Sequence, residues 1–325
     1  MTEASLLHMV EAAIAAPNVH NVQPARWRIE GDTLLLIEDM SRRLAVGDPT
    51  GNDAAISLGA AAEGLRIAAS RAGLVAIESR SELPAATDAL RPVARFRFEP
   101  GAAIDPLAEW LEQRASWRGN FLPPTEADRT AAATLEADDA RVVVEPAALA
   151  ALARDFDRAS YGFTRRRDFR GELRGWMRLG RSHPLWSNDG LNAEAMALSR
   201  VEAVGAGLIL GPLFALLDKL GLARILLAEG SKVEGGAAVV LFHRPTDEDA
   251  YESGRHFHRL WLAIERAGFG AAVLAALADD REAAGEISAT HSIPSGHRLV
   301  SAFRIGRRSG PGYPRARLPL SSVLV

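Results

Sequence analysis

Two stretches of the chain place strand-like and helix-like patterns in the same order. Near the start, an apolar run over residues 33–37 leads through Pro49-Thr50 and Asp53-Ala54 to Ser57, Gly59, Leu65, Ala68 and Arg71-Ala72-Gly73-Leu74. Late in the chain, a run over residues 237–242 leads through Pro245-Thr246 and Asp249-Ala250 to Ser253, Gly254, Leu260, Ala263 and Arg266-Ala267-Gly268-Phe269. The offset is 196 residues up to the serine and 195 beyond it, so a single one-residue gap aligns the copies. Each copy closes on a strand, Val93-x-x-Phe96-Arg97-Phe98 in the first and Val300-x-x-Phe303-Arg304-Ile305 in the second.

In the second copy Phe257, Leu260, Trp261 and Ile264 recur at helical spacing, and Gly268 supplies an easy left-handed stop. The first copy has Gly59, Ala60, Ala61, Ala62 and Gly64 instead, a helix small enough for a neighbour to approach closely and therefore expected at the centre. A strand, long helix, strand unit used twice predicts an α+β chain of two fused half-units around a central helix core. The halves are expected at residues 1–112 and 113–325, with a site between them.

Between the copies, residues 113–230 read as mostly helical, and within the second half a helical or lid insertion is expected around residues 165–230. Leu122-Pro123-Pro124-Thr125 reads as a helix start, residues 147–156 are amphipathic, and residues 165–176 hold Arg165, Arg166, Arg167, Arg170 and Arg174. Those arginines fit a solvated face paired with Asp168 and Glu172, with a phosphate clamp as the alternative. The longest uncharged apolar stretch, residues 203–217, is broken by Gly211-Pro212 and falls short of the ~20 residues of a membrane span. It reads as a buried or lid helix with a break, so no membrane partner is expected.

Composition narrows the chemistry. With 38 Lys plus Arg against 41 Asp plus Glu among 325 residues, the net charge of -3 does not suit a nucleic-acid binder. Zero cysteines exclude disulfides and thiolate metal sites, and no basic segment followed by an apolar run marks a secretory signal, so cytoplasmic residence is expected. Only Lys219 and Lys232 are lysines, which removes a Walker A loop and leaves arginine to hold any anion. Gly205-Ala206-Gly207-Leu208-Ile209-Leu210-Gly211 misses the dinucleotide spacing by one residue. His256 and His258 lie two apart on a helix and face different directions, so no metal site is expected.

A loop rich in turn-forming and amide residues, Ala16-Pro17-Asn18-Val19-His20-Asn21-Val22-Gln23-Pro24, follows an amphipathic N-terminal helix. Amides of this kind suit a heteroaromatic ligand that both donates and accepts hydrogen bonds. Together with Asp48-Pro49, Ser57-Leu58-Gly59-Ala60-Ala61, Arg114-Ala115-Ser116-Trp117-Arg118 and Tyr313-Pro314-Arg315-Ala316-Arg317-Leu318-Pro319, it resembles the nitroreductase-like flavoproteins, and within them the Acg-like branch. The resemblance implies a nitroreductase-like fold and an FMN cofactor. It implies that Arg114, Ser116 and Arg118, with Arg315 and Arg317, hold the phosphate and ribityl chain, and that the loop of Pro17, Asn18, Asn21 and Gln23 meets the ring. The loop occurs well formed only in the first half and the Arg-x-Ser-x-Arg only ahead of the second, which implies one composite site per chain, in a monomeric pseudo-dimer or a homodimer.

By the same resemblance the activity expected is hydride transfer from NAD(P)H through FMN to a nitroaromatic, quinone or similar acceptor. No side chain is required as a nucleophile, so no catalytic residue is assigned. The alternative within the fold is a flavin-binding or storage protein. Asn18 stands where the branch has serine and Ala25 where it has tryptophan, with Trp27 two residues on, so the pocket wall departs from the pattern.

Overall fold

The computed structural model describes residues 2–325. Helix α1 (Glu3–Ala13) starts on a Thr2 side-chain cap and leads into the amide loop. Strands β1 (Ala25–Glu30) and β2 (Thr33–Asp39) form a hairpin, helix α2 (Asn52–Arg71) follows, and β3 (Leu74–Ser79) and β4 (Leu90–Pro100) complete the first sheet. The second half has α3 (Glu126–Ala133), β5 (Ala140–Val143), α4 (Pro146–Arg165), α5 (Arg167–Trp176) and a two-residue ladder of β6 (Met177–Arg178) and β7 (Leu191–Asn192). Then come α6 (Arg200–Ile209), α7 (Phe214–Lys219), α8 (Leu222–Leu226), α9 (Gly230–Glu234), β8 (Ala238–Pro245), α10 (Ala250–Arg266), β9 (Gly270–Val273), α11 (Ala276–Asp279), α12 (Arg281–Thr290), β10 (His297–Gly306) and α13 (Leu320–Val323).

Both four-stranded sheets are antiparallel and run in matching order, β1-β2-β4-β3 and β5-β8-β10-β9. Each has a register break at the same place in its last strand. Val93 is skipped between Leu36↔Ala94 and Ile37↔Pro92, and Val300 between Phe242↔Ser301 and His243↔Leu299. These are the two valines that open the matched strand patterns. In β8, Val240 and Phe242 face the α10 side while Val239 and Leu241 face α4 and α11, so this strand is apolar throughout because both faces are covered.

The halves meet where α2 crosses α10. A methyl group built on Gly59 would lie 1.8 Å from the Tyr251 carbonyl oxygen, and one on Gly254 would lie 2.1 Å from the Ile56 carbonyl oxygen. The aligned glycines thus admit each other's helix backbone reciprocally. Further along, His258 Nδ1 lies 2.7 Å from the Ala60 carbonyl, buried in the same seam. Tyr251 of α10 joins the core of the first half, and Ile56 of α2 packs on the core of the second.

Several local expectations hold. Thr125 and Asp128 form a reciprocal capping box at the start of α3, and Gly268 just beyond α10 has φ +79°. Asp168 pairs with Arg166, whereas Glu172 turns away from the arginines and accepts from the Val46 and Gly47 amides at 3.0 and 2.7 Å. Strand β5 lies within the stretch read as mostly helical, where the run Val142-Val143-Val144 favours extended backbone. Residues 203–217 do break at Gly211-Pro212, but most of their apolar side chains lie on the surface and only Ala203, Leu210 and Phe214 are buried.

Gly59→Ala or Gly254→Ala forces a backbone clash, so each is expected to cost about 3 kcal/mol, the upper end of overpacking penalties. Because either change already separates the helices, the double variant should lose less than the sum. Urea unfolding of the three variants measures this, and a loss below about 0.5 kcal/mol, the size of a neutral surface change, would contradict the packing.

Candidate functional site

The amide loop is held in a strained conformation. His20, Asn21 and Gln23 have φ of 45°, 55° and 52°, in the left-handed region that costs a non-glycine residue about 1 kcal/mol or more. Hydrogen bonds from distant segments fix it. Asn18 Oδ1 accepts from the Gln23 amide at 2.8 Å, and Asn21 Nδ2 donates to the carbonyls of Gly190 and Ala316 at 3.2 and 3.1 Å. Gln23 Nε2 donates to Asn188 O at 2.8 Å and its Oε1 accepts from Leu318 N at 2.9 Å. The loop is therefore tied on one side to the turn before β7 and on the other to the C-terminal strap of residues 313–318. Pro17 is buried at its base.

The arginine signature lies along the edge of the second sheet. Ser116 bridges Ala271 of β9 in parallel sense, and the Trp117 amide donates to the Ala271 carbonyl at 2.7 Å. Trp117 stacks on Tyr313 of the strap with ring centroids 5.1 Å apart. Arg114 is buried at 2% exposure, with its guanidinium 4.6 Å above the Trp261 ring and one nitrogen donating to Ala15 O at 2.7 Å. Its Nε is buried with no hydrogen-bond partner among the described residues.

Arg114 shares its pocket with Arg317, Arg315 and Arg308. Burial first, then Arg317 and Arg315, push its pKa well down, against an opposing pull from Glu265. Arg317 is likewise lowered, to about 10, by burial and then Arg315, while it donates to Ile14 O, Ala15 O and Asn21 Oδ1. Glu265 is the buried carboxylate of the group and is already engaged by Arg308 at 2.5 Å. Arg114, Arg308, Arg315 and Arg317 thus lie near a single carboxylate, Glu265, which Arg308 already engages, so positive charge exceeds negative charge there.

Arg118 goes elsewhere. It is half-buried, is lowered by burial, and forms no hydrogen bond or ion pair among the described residues. It lies close enough to act electrostatically on Arg304 and on His20, whose pKa burial and then Arg118 depress to about 4. The structure thus brings Arg114, Arg315 and Arg317 into one group, sets Arg118 beside the amide loop, and spends the Asn21 and Gln23 side chains on lacing loop to strap.

Two elements were not visible in the residue pattern. Arg308 and Glu265 complete the cationic group, although only their three-dimensional approach reveals it. Asp48, Asp53 and Asp279 lie close enough to act on one another electrostatically. Burial, then Asp279 and Asp48, raise Asp53 to about 8, and burial and Asp48 raise Asp279 to about 6. Beside the strap a cleft of about 340 Å³ opens between Arg181, Glu194, Ala197–Ser199 and Tyr313–Pro314.

No family model matches the chain. Over 91 residues it is 36% identical to the Acg protein of Mycobacterium tuberculosis, named in two strains as a candidate NAD(P)H nitroreductase. That match covers 28% of this chain and 27% of the relatives' length, about a quarter of each. A solved structure of a candidate nitroreductase from Anabaena variabilis superposes with a TM-score of 0.50 over 94% of this chain and 88% of its own, at 8% identity. The fold is nitroreductase-like. The FMN and NADPH-dependent nitroreductase NfnB of Sphigopyxis sp. strain HMH is less similar, with a TM-score of 0.32 at 15% identity over 63% of this chain and 89% of its own. The amide loop precedes the first sheet in the chain, and the Arg114–Arg118 edge and the strap follow it.

Two measurements test the site directly. Millimolar sulfate or phosphate should raise the melting temperature beyond chloride at equal ionic strength, corresponding to about 2.7 kcal/mol at a hundredfold excess over Kd. Arg114→Ala should remove the difference; equal effects of all three anions would contradict an anion pocket. The carboxyl cluster sets a pH dependence. A carboxyl whose folded pKa exceeds its unfolded value near 4 stabilises the fold at low pH, and that contribution is lost as pH rises through about 8. Asp53→Asn should therefore stabilise the protein at pH 9 relative to wild type and much less at pH 5, which calorimetry at the two pH values would show or refute.

Proposed function

We propose that the chain is an FMN-dependent oxidoreductase of nitroreductase type, with NAD(P)H as electron donor and a nitroaromatic, quinone or similar small molecule as acceptor. The observation that carries this reading is the desolvated group of Arg114, Arg308, Arg315 and Arg317, which places more positive charge in one pocket than Glu265 can balance. A phosphate monoester supplies the missing charge and accepts paired hydrogen bonds from guanidinium groups. The orphaned Arg114 Nε is a donor already in place for it. Bound there, FMN would supply the two-electron relay between donor and acceptor.

The remaining residues divide the cofactor between the halves. Arg114, Arg315 and Arg317 hold the phosphate, and Ser116, on the strand extension beside β9, meets the ribityl chain. Arg118 reaches toward the amide loop of Pro17, Asn18, Asn21 and Gln23, which offers the ring edge its backbone while the Asn18, Asn21 and Gln23 side chains hold it in place. Because Asn21 and Gln23 are also bonded to residues 188–190 and 316–318, the same loop closes the site against water. The domain reading that follows is a fused pair, residues 1–112 and 113–325, that has kept one composite site.

The second reading, flavin sequestration without turnover, is favoured by one observation. The turn at residues 187–190 is laced directly onto the loop, as a cover limiting nicotinamide access would be. Anaerobic stopped-flow mixing of the flavin-loaded protein with NADPH separates the two. Bleaching of the flavin band within seconds supports the oxidoreductase, and an unchanged band over minutes supports sequestration. Arg114→Ala combined with Arg118→Ala should weaken FMN binding by about 3 kcal/mol, roughly a hundredfold. An unchanged affinity would show that the phosphate lies elsewhere.

A further inference from the structure

The helical insertion turns its apolar residues outward. Of the large hydrophobic side chains exposed in the chain, Val201 (82%), Val204, Leu208, Leu213, Leu216, Leu220, Leu222, Ile225 (71%) and Leu226 fall within 26 residues of one another. On α6, Val201, Val204 and Leu208 follow helical spacing, as do Leu213, Leu216 and Leu220 along α7 and its flanks, and Leu222, Ile225 and Leu226 on α8. Each helix thus places a stripe in solvent that would ordinarily face a core, while Ala203, Phe214 and Ala223 anchor the other side. Exposure of so many large apolar side chains on three consecutive helices goes beyond the scattered single ones normal on a surface and marks a docking surface.

Charge says what docks. From Arg165 to Glu229 the chain has ten arginines and lysines against seven acids, a net +3, while the rest of the chain carries -6. Eight of those basic residues are exposed, against three acids, Asp168, Glu202 and Glu229. The basic helix α5 packs against the buried side of α7. Arg170 stacks on Phe214 with its guanidinium carbon 3.8 Å from the ring centre, and Arg165, at the end of α4, lies 3.5 Å from Asp218 of α7. Exposed apolar side chains on a segment of net positive charge match an anionic lipid surface, where side chains enter the interface and cations meet headgroups. A second copy of this chain would set two faces of like charge against each other.

We infer that α6 to α8 form an interfacial docking surface for anionic membranes. No described helix is long and apolar enough to cross a membrane, and interfacial binding requires none. A broken apolar segment lying on the surface differs from the membrane span whose absence led to the expectation of no membrane partner. The inference is independent of the flavin reading, since it concerns the outer face of the insertion.

The test uses the full chain and vesicles of phosphatidylcholine, with or without one quarter phosphatidylglycerol, in a co-sedimentation assay. Binding to the anionic vesicles and not to the neutral ones is expected. It should fall at least tenfold in the triple variant Val201→Ser, Leu216→Ser, Ile225→Ser, and also in Arg165→Ser, Arg166→Ser, Arg167→Ser. The altered side chains are exposed, and circular dichroism of each variant establishes that it is folded. Absence of binding to anionic vesicles by the folded wild type overturns the inference. So does a wild-type dimer in sedimentation velocity that the apolar triple variant dissociates, because a second copy then covers the face.

Discussion

Gly59 and Gly254 lie on helices that approach so closely that each carbonyl partner occupies the space a methyl group would need. This reciprocal crossing of α2 and α10 sets the distance between the two sheets, and much else follows from that distance. It lets Tyr251 enter the first core and Ile56 the second, so the halves share apolar surface rather than merely touching. It also fixes where the exchanged chain ends fall. The C-terminal Leu324 bridges Trp27 on the edge of the first sheet, while the Arg114–Arg118 segment covers the edge of the second at Ala271. Both sheets gain protected edges, and the strap that runs back across the amide loop arrives carrying Arg315 and Arg317.

The site built at this junction is electrostatically costly. Burying Arg114 beside three other guanidinium groups is unfavourable in an environment of reduced dielectric, and Glu265 offsets only part of it because Arg308 already engages that carboxylate. Backbone carbonyls of Ile14, Ala15 and Ala316 take most of the remaining donors. The loop opposite is strained at three residues and survives through bonds to two other segments. Strain and uncompensated charge in one place are what a ligand-binding site stores, and here they coincide where the two halves meet.

Much of the fold and of the candidate site is legible in the sequence. The matched glycines at 59 and 254 and the matched valines at 93 and 300 are sequence features whose counterparts in the fold are the helix crossing and the two strand bulges. The Arg114-x-Ser116-x-Arg118 pattern and the amide loop fall on neighbouring segments because each lies next to an element end that the pattern identifies. What escaped the reading depends on distance rather than order. Arg308 and Glu265 join the cationic group across the fold, the acidic cluster needs Asp279 from the far half, and β5 is too short for its period to stand out. The run over residues 203–217 misled for a physical reason. Apolar composition shows that a segment avoids water, but it does not show whether its own core or an external surface provides the shelter.

The proposed function requires a single composite flavin site formed where the two halves meet. The most direct measurement is the binding stoichiometry of FMN, titrated into protein of known concentration and followed by quenching of flavin fluorescence. One equivalent per chain, lost when Arg114 and Arg317 are replaced together, is the predicted result. Two equivalents per chain would mean that each half carries its own site, and no saturable binding would mean that the arginine pocket serves a different anion; either would contradict the account.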